Sequence, residues 1–182
     1  RVFFMSKTLA IDTSTSRTCV AIIEGEAVLY SGHRDGATAH GPSLPELVQE
    51  ALAVSDVDEV VVGMGPGPFT GLRVGIAFAN TFALAREIPV RGVCSLDAIA
   101  AQVNDKDFII TVDARRKEVY WARYTNGLRV GEPAVNFPAE VSGAIIHADL
   151  FPDMNALVNL PGNITEPIYL RRPDAVATVD RP

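Results

Sequence analysis

Residues 8–23, TLAIDTSTSRTCVAII, carry the clearest indication of the fold. It holds two apolar runs rich in β-branched residues, 8–12 and 19–23, on either side of the polar turn TSTSRT. Such a pattern predicts an antiparallel hairpin, and its first strand ends in Asp12. A third strand is predicted at 27–32, after the short turn EGE.

The same pattern returns in the second half of the chain. FIITVD (108–113) leads through the charged turn ARRKE into the alternating strand VYWARY (119–124). Two apolar strands that end in an aspartate, Asp12 and Asp113, indicate a duplicated unit. Apolar segments are short after Arg129, so the second unit is predicted to be abbreviated. We therefore predict an α/β protein of two lobes with mixed sheets, divided into residues 5–107 and 108–182.

Helices and a buried strand are predicted between the two hairpins. SLPELVQEALAV (43–54) has apolar residues at helical spacing, with Ser43 and Glu46 as a predicted capping box. A strand at 59–64 precedes a glycine-rich turn and a second helix at about 72–86. That helix is apolar on nearly every side, so it needs cover on two sides, either within its own domain or from a second chain.

Composition restricts the partners and the compartment. The formal net charge is −6, and affinity for nucleic acid comes largely from Lys and Arg, so the chain alone is expected to bind RNA poorly. Cys19 and Cys94 lie in apolar surroundings and form no C-x-x-C pair, which favours buried, inert thiols over a disulfide or zinc site. No apolar run reaches the ~18 residues of a membrane helix. We expect a cytoplasmic protein that does not enter a membrane.

The first hairpin turn has the residues of a weakened phosphate site. Actin-like kinases and ATPases hold a metal-bound phosphate beside an aspartate at this strand end, and their turn usually contains a glycine whose backbone amides approach the phosphate. Here Thr13, Ser14 and Thr15 occupy the turn. Together with Asp12 and Asp113 they are interpreted as a degenerate nucleotide site, and the alternative is a capped hairpin with a structural Asp12.

The glycine-rich segment GMGPGPFTGLRVG (63–75) has two interpretations. Free amides at a helix start favour an anion, but the two prolines remove donors, and the segment matches neither a Walker A loop nor a dinucleotide fingerprint. A rigid strand-to-helix turn, capped by Thr70 and with Arg73 in the first helical turn, explains it equally well. The candidate residues are Gly65, Gly67, Thr70, Gly71 and Arg73.

The second hairpin turn carries clustered cations. Arg115 and Arg116 are either solvated or contact carboxylates or phosphates of a partner. The three histidines lack metal-binding spacing, and no G-x-S-x-G elbow is present. Metal catalysis and serine hydrolase chemistry are therefore unsupported by sequence.

Taken in order, five segments resemble the TsaB (YeaZ) family of bacterial proteins: LAIDTSTSRTCVAI (9–22), GMGPGPFTGLRVG (63–75), CSLDAIAAQ (94–102), DARRKEVYWARY (113–124) and EPIYLRRPDA (166–175). The resemblance implies the actin-like ATPase fold (ASKHA, ribonuclease H-like). It also implies a non-catalytic subunit, a pseudoenzyme, required with TsaD for threonylcarbamoyl transfer to N6 of the adenosine 3′ of the anticodon in tRNAs that read ANN codons. No cofactor is then expected on this chain, because ATP and a metal belong to TsaD.

The resemblance also implies the partners. A TsaD heterodimer is expected, with the TsaE ATPase as a further component, tRNA bound only through the complex, and a possible homodimer when the chain is isolated. Family members pair through helices of the first lobe. Carried to this sequence, the partner interface falls on Leu44, Leu47, Val48, Leu52, Leu72, Val74, Phe78 and Phe82.

Three alternatives remain open at the level of sequence. An active phosphotransferase or ATPase of the same fold would use Asp12 and Asp113 to hold magnesium around ATP. A peptidase of the glycoprotease-like group has no nucleophile or metal signature to support it. A homodimeric scaffold would pair the same apolar helix faces with themselves.

Overall fold

The computed structural model describes residues 6–171, which form two mixed sheets and four α-helices. The limits 5 and 182 of the predicted lobes, and the end of the segment 166–175, lie outside these residues. The first sheet has the order β3-β2-β1-β4-β5. Its strands are β1 (Lys7–Asp12), β2 (Arg17–Glu24), β3 (Ala27–Asp35), β4 (Glu59–Gly63) and β5 (Val90–Val93).

The predicted first hairpin is confirmed. β1 pairs antiparallel with β2, with Asp12 opposite Cys19, and pairs parallel with β4 on its other side. Side chains alternate between the two faces of a strand, so Leu9 and Ile11 point to one face and Ala10 to the other. Both faces are buried in this protein, which explains why β1 reads as a continuous apolar run.

Two long helices cover the face of Leu9 and Ile11. They are α1 (His40–Val54) and α2 (Phe69–Arg86), and both contribute to the largest hydrophobic cluster. The opposite face receives α3 (Ser95–Ala100) and α4 (Met154–Asn159). The chain thus returns to the first sheet after completing the second.

The second sheet repeats the pattern of the first. Its order is β8-β7-β6-β9, with β6 antiparallel to β7 and parallel to β9. The strands are β6 (Asp107–Asp113), β7 (Val119–Thr125), β8 (Leu128–Asn136) and β9 (Ile145–His147). Only a 3₁₀ turn, Pro138–Glu140, lies between β8 and β9, at the place where the first sheet has α1. The second unit is therefore abbreviated, as predicted, whereas the boundary between two lobes stays a prediction.

The helix starts differ from those predicted. α1 begins at His40, so Ser43 lies within the helix, where its amide donates to the Ala39 carbonyl, and no side chain caps the helix. The predicted capping box is therefore wrong. α2 begins at Phe69. Pro68 stands at the N-cap position, and no side chain there caps the helix. Thr70 therefore lies inside the helix and is not a cap, and Arg73 lies in the second turn. The turns that precede these helices are held by backbone hydrogen bonds between distant residues, Gly36 N to Ser16 O and Ser95 N to Gly65 O, which local sequence patterns do not reveal.

The expectation for the two cysteines is confirmed. Cys19 and Cys94 are free and buried, and burial raises the pKa of each thiol to about 12. Among the described helices, none has the length and apolar character that a membrane crossing needs.

Candidate functional site

An open cleft lies where the turns after β1 and β6 meet the start of α2. It has two adjoining recesses of about 290 and 620 Å³, which share Ala37, Pro68 and Arg115. Thr15, His40 and Asp113 line the smaller recess. The structure therefore brings residues of both predicted hairpin turns to the same cleft.

Asp12 lies behind this cleft rather than in it. Its carboxylate is 0% exposed and accepts a hydrogen bond on Oδ1 from the Ser14 amide (2.8 Å) and another from Ser14 Oγ (2.6 Å). Oδ2 accepts from Ser95 Oγ (2.6 Å), and that hydroxyl in turn accepts from the Gly65 amide (3.1 Å). Both carboxylate oxygens are thus occupied by the chain itself.

Burial controls the acidity of this carboxyl. Loss of solvent raises the pKa of Asp12 above its usual value, while the hydrogen bonds from Ser14 and Ser95 act in the opposite direction. Nearby, His40 is buried, and its Nδ1 lies 2.8 Å from Thr18 Oγ1. Burial lowers the pKa of His40 below its usual value, although the negative charge of Asp12 acts in the opposite direction.

Glycines let the backbone of β4 and α2 close onto the β1–β2 turn. A Cβ added at Gly63 would lie 1.8 Å from Asp12 Oδ2, and one at Gly67 would lie 2.4 Å from the Ser14 carbonyl oxygen. At Gly75 it would lie 2.3 Å from Thr13 Oγ1, which donates to the Gly71 carbonyl (2.7 Å). The glycine-rich segment therefore packs tightly against the first hairpin turn.

This packing determines what the turn can do. Thr13 and Ser14 are each 1% exposed, and their polar groups bond within the protein. A phosphate group at this turn would have to separate it from α2. No group of three His, Cys, Asp or Glu side chains suited to a metal ion occurs within residues 6–171.

The larger recess has a different chemical character. Arg115, Arg116 and Arg171 line it together with aromatic side chains, and no Asp or Glu is among its described lining residues. The rings of Phe69 and Tyr169 lie 4.9 Å apart, and the Arg73 guanidinium lies 5.2 Å from the centre of the Phe69 ring. The recess is therefore cationic and aromatic.

The predicted site residues separate into two groups. Asp12, Thr13, Ser14 and Gly65 form the buried support behind the cleft, and Arg73 lies beside it. The cleft itself is lined by Thr15, Gly67, Thr70, Gly71, Asp113, Arg115 and Arg116. These placements leave the predicted roles as predictions.

Sequence reasoning missed several residues of the site. Ser95 bonds Asp12 across a separation of 83 residues, for which no local signal exists. Gly63 and Gly75 could have been found, because with Gly67 and Gly71 they recur every fourth residue, a spacing that predicts close backbone approach. His40 lies in no segment that the sequence analysis singled out, and Tyr169 lies in the family-like segment 166–175, for which no site role was predicted.

The structure divides the residues predicted for the partner interface. Leu44, Leu47 and Leu72 are 0% exposed and Val48 is 3% exposed, so their side chains pack in the core of this chain and do not face outward. The prediction that these four residues lie at the partner interface is therefore wrong. It followed helical spacing alone, and that spacing does not reveal which apolar side of a helix faces the sheet. Leu52, Val74, Phe78 and Phe82 are only partly buried at the edge of this core.

The fold and the cleft define a class of protein. A duplicated mixed sheet, with an aspartate at the end of each first strand and a cleft between the two turns, is the actin-like fold predicted from sequence. A family model described as TsaD, tRNA N6-adenosine threonylcarbamoyltransferase, matches residues 34–149. The chain belongs to this family and, within it, to the TsaB (YeaZ) proteins.

Relatives and solved structures agree with this assignment. The chain is 43% identical to an uncharacterized protein of Mycobacterium tuberculosis over 94% of each chain. It is 35% identical to the tRNA threonylcarbamoyladenosine biosynthesis protein TsaB of Escherichia coli, over 68% of this chain and 58% of that one. YeaZ from Pseudomonas aeruginosa superposes with a TM-score of 0.72 at 27% identity, covering 85% of this chain and 90% of that chain. A second Pseudomonas aeruginosa structure, titled as similar to peptidase YEAZ, reaches a TM-score of 0.76 at 26% identity, with 92% and 100% covered.

Proposed function

We propose that this chain is a non-catalytic subunit that works with a TsaD protein in the formation of threonylcarbamoyladenosine in tRNA. In this proposal TsaD carries the ATP, the metal and the chemistry, TsaE joins the complex, and the reaction takes place in the cytoplasm. Family membership supports the pathway. The hydrogen bonds at the first hairpin turn support a subunit that takes no part in the chemistry.

The main support for the proposal is that groups of this chain already occupy the carboxylate oxygens of Asp12 at that turn. Asp12 is fully buried and accepts three hydrogen bonds from Ser14 and Ser95, while Gly67 and Gly75 bring backbone against the turn within van der Waals distance. An aspartate that works on a metal-bound nucleotide needs a free oxygen facing the ligand. This aspartate stabilises the turn instead, which favours a subunit without its own nucleotide chemistry.

The partner surface is proposed on the outer side of α2 and its border with α1. Phe78 and Phe82 stack with ring centres 6.0 Å apart and are partly exposed, and Leu84 on the same helix is 80% exposed. A large apolar side chain so exposed is stabilised when another chain covers it. Ala77 is exposed on this side and does not belong to the core clusters.

The test combines this chain with TsaD from the same organism. Mass is measured by light scattering after size exclusion, for each protein alone and for the mixture, with and without ATP, and tRNA modification is then assayed with TsaE and the threonylcarbamoyl-adenylate synthase. We expect a one-to-one complex and modification that requires both subunits. Ala77→Glu should abolish the complex without unfolding the chain, whereas Ala139→Glu, at an exposed alanine in the 3₁₀ turn between β8 and β9, should leave it intact.

Other outcomes would favour the alternatives. A wild-type chain that forms only a homodimer under every condition would support a scaffold. Tight ATP binding by the isolated chain in calorimetry, abolished by Asp12→Asn, would support an ATPase and contradict the proposal. Proteolytic activity that persists through repurification would support a peptidase.

A further inference from the structure

The chain that follows α4 runs along the edge of the first sheet without helix or strand. Residues 160–171, here called the strap, pass β5, the edge strand of that sheet, and the Ile164 amide donates to the Gly92 carbonyl (3.1 Å). A Cβ added at Gly92 would lie 2.3 Å from the Ile164 carbonyl oxygen, so the two backbones are in close contact. The Ile164 side chain packs against the core of the first sheet. The first half of the strap is therefore fixed to this sheet.

The second half of the strap reaches the larger recess. The Ile168 amide donates to the Met64 carbonyl (2.8 Å), and the Ile168 side chain packs against the core of the second sheet. The Tyr169 ring lies 4.9 Å from the ring of Phe69, the first residue of α2. The end of the strap, 169–171, lines the recess together with the start of α2 and the turn after β6.

Arg171 holds the second hairpin turn, residues 114–118, from outside. Its Nη1 donates to the Ala114 carbonyl (2.9 Å), and its guanidinium is paired with the Glu118 carboxylate. Within the turn, the Ala114 amide donates to the Glu118 carbonyl (2.9 Å), and the Glu118 amide donates to the Arg115 carbonyl (3.0 Å). Arg171 therefore contacts the residues at both ends of the same turn.

This turn has an unfavourable backbone conformation. Arg115, Arg116 and Lys117 have φ angles of 59°, 53° and 65°, in the left-handed region. Residues with a Cβ enter this region at an energetic cost, and they persist there only where the surrounding structure holds them. A turn with three such residues in succession depends on contacts from outside, and the two contacts of Arg171 are of this kind.

We propose that the strap is a latch that gates the larger recess. In the latched state, which the structure shows, Arg171 holds the turn in its left-handed conformation and the strap closes one side of the recess. In the released state, Arg171 leaves Ala114 and Glu118, the turn relaxes, and the recess opens on the side of Tyr169. Ile164 stays bound to β5, so release concerns only the end of the strap. This latch belongs to the chain itself and does not depend on the proposed partner.

The latch also joins segments that are far apart in the sequence. Phe69 belongs to the family-like segment 63–75, Glu118 to 113–124, and Tyr169 to 166–175. No role was predicted for the last of these segments from the sequence, and closing the recess supplies one.

The test measures amide hydrogen exchange in the full chain by nuclear magnetic resonance. Slow exchange at Ala114 and Glu118 reports the closed turn, because both amides donate within it. Arg171→Ala should raise both rates about ten-fold or more, which corresponds to about 1.4 kcal/mol of lost protection. Hydrogen bonds made by a charged group are of this size. The rate at Ile164 should not change.

Arg34→Ala is the matched control. Arg34 is also paired with a carboxylate, that of Glu50, and also donates to a backbone carbonyl, but it lies in β3 of the first sheet. Its removal should leave the exchange rates at Ala114 and Glu118 at their wild-type values.

A glycine in the turn separates backbone strain from simple cover by Arg171. Glycine adopts a φ of 65° without the cost that a Cβ brings, so Lys117→Gly should restore slow exchange at the turn in the Arg171→Ala chain. Lys117→Ala removes the same side chain but keeps the Cβ, and it should not restore slow exchange.

Tyr169→Ala tests the strap without touching the turn. It removes the ring contact with Phe69, and it should raise the exchange rates at Ala114 and Glu118 because the end of the strap is released as a unit. Wild-type rates in this variant would show that strap and turn are not coupled.

Three further results would overturn the proposal. Equal rates at the turn in Arg171→Ala and Arg34→Ala would show that Arg171 does not hold it. Fast exchange that persists after Lys117→Gly would show that the turn is not strained. A uniform rise at Ile164 and in the core strands would show that Arg171→Ala weakens the whole fold and that the strap does not open locally.

Discussion

Close backbone packing at the first hairpin turn depends on single glycines. Gly63, Gly67, Gly71 and Gly75 recur every fourth residue, and each stands where a Cβ would meet Asp12, Thr13 or Ser14. The residue type at these positions is therefore dictated by contacts with the end of β1 and the turn after it, more than 50 residues away. Within the segment 63–75, Gly65 differs from these four, because its φ of 89° lies in the left-handed region that favours glycine.

Gly75→Ala should destabilise the protein by about 1–3 kcal/mol, because the new methyl group overlaps Thr13 Oγ1. Chemical denaturation followed by circular dichroism measures the change. Gly41→Ala is the control, since no atom lies within 4 Å of its added Cβ, and it should stabilise α1 by about 0.5–1 kcal/mol. Thr13→Ala combined with Gly75→Ala should recover part of the stability, and full additivity of the two changes would contradict this account.

The buried carboxyl of Asp12 should make the free energy of unfolding depend on pH. Burial raises the pKa of its carboxyl in the folded state above the unfolded value of 3.8, so the folded state binds the proton more tightly. The contribution of this group to stability is then largest at low pH and falls as the pH rises from about 4 through the raised pKa. Asp12→Asn removes the ionisation, so its free energy of unfolding relative to wild type should increase over that range. A difference that stays constant with pH would show that burial does not control this carboxyl.

Among the elements, the short helix α4 packs the chain that follows the second sheet back against the first sheet. Leu157 is 0% exposed and packs with Ala10, Ala21 and Val61 of that sheet. The Arg91 guanidinium donates to the carbonyls of Val158, in the last turn of α4, and Leu160, which follows the helix. A six-residue helix has little stability of its own, so these contacts hold it in place.

Leu157→Ala should cost about 2–5 kcal/mol, because it leaves a cavity under α4. Leu128→Ala is the control, since Leu128 is 74% exposed and its removal should change stability by less than about 0.5 kcal/mol. Thermal unfolding of the three proteins measures both effects. Equal stability of Leu157→Ala and wild type would mean that α4 is not docked in solution.

At the scale of the whole molecule, helix α3 connects the two sheets. Ala98 packs on the first sheet, while Leu96 and Ile99 pack with Phe108 of the second. Arg17 of β2 also lies 3.8 Å from the centre of the Phe151 ring, beyond β9. These contacts favour unfolding in one step, although the strands belong to two sheets.

Unfolding in urea tests this coupling with two probes. Trp121, the single tryptophan, lies in β7 and reports on the second sheet, and far-ultraviolet circular dichroism reports on all elements. The two transitions should coincide within error. Separate midpoints would show that the sheets unfold independently, as two lobes divided near residue 107 would.

Local patterns in the sequence predicted the hairpins, the repeat that ends in Asp12 and Asp113, the main helices and the burial of both cysteines, because alternation and helical period act over a few residues. The position of Asp12 behind the cleft could not be predicted in this way, since the bond from Ser95 spans 83 residues. Only the tertiary structure showed which side of α1 and α2 packs inward, and that α4 returns to the first sheet. These outcomes depend on contacts between distant segments, and such contacts leave no periodic signal in a single sequence.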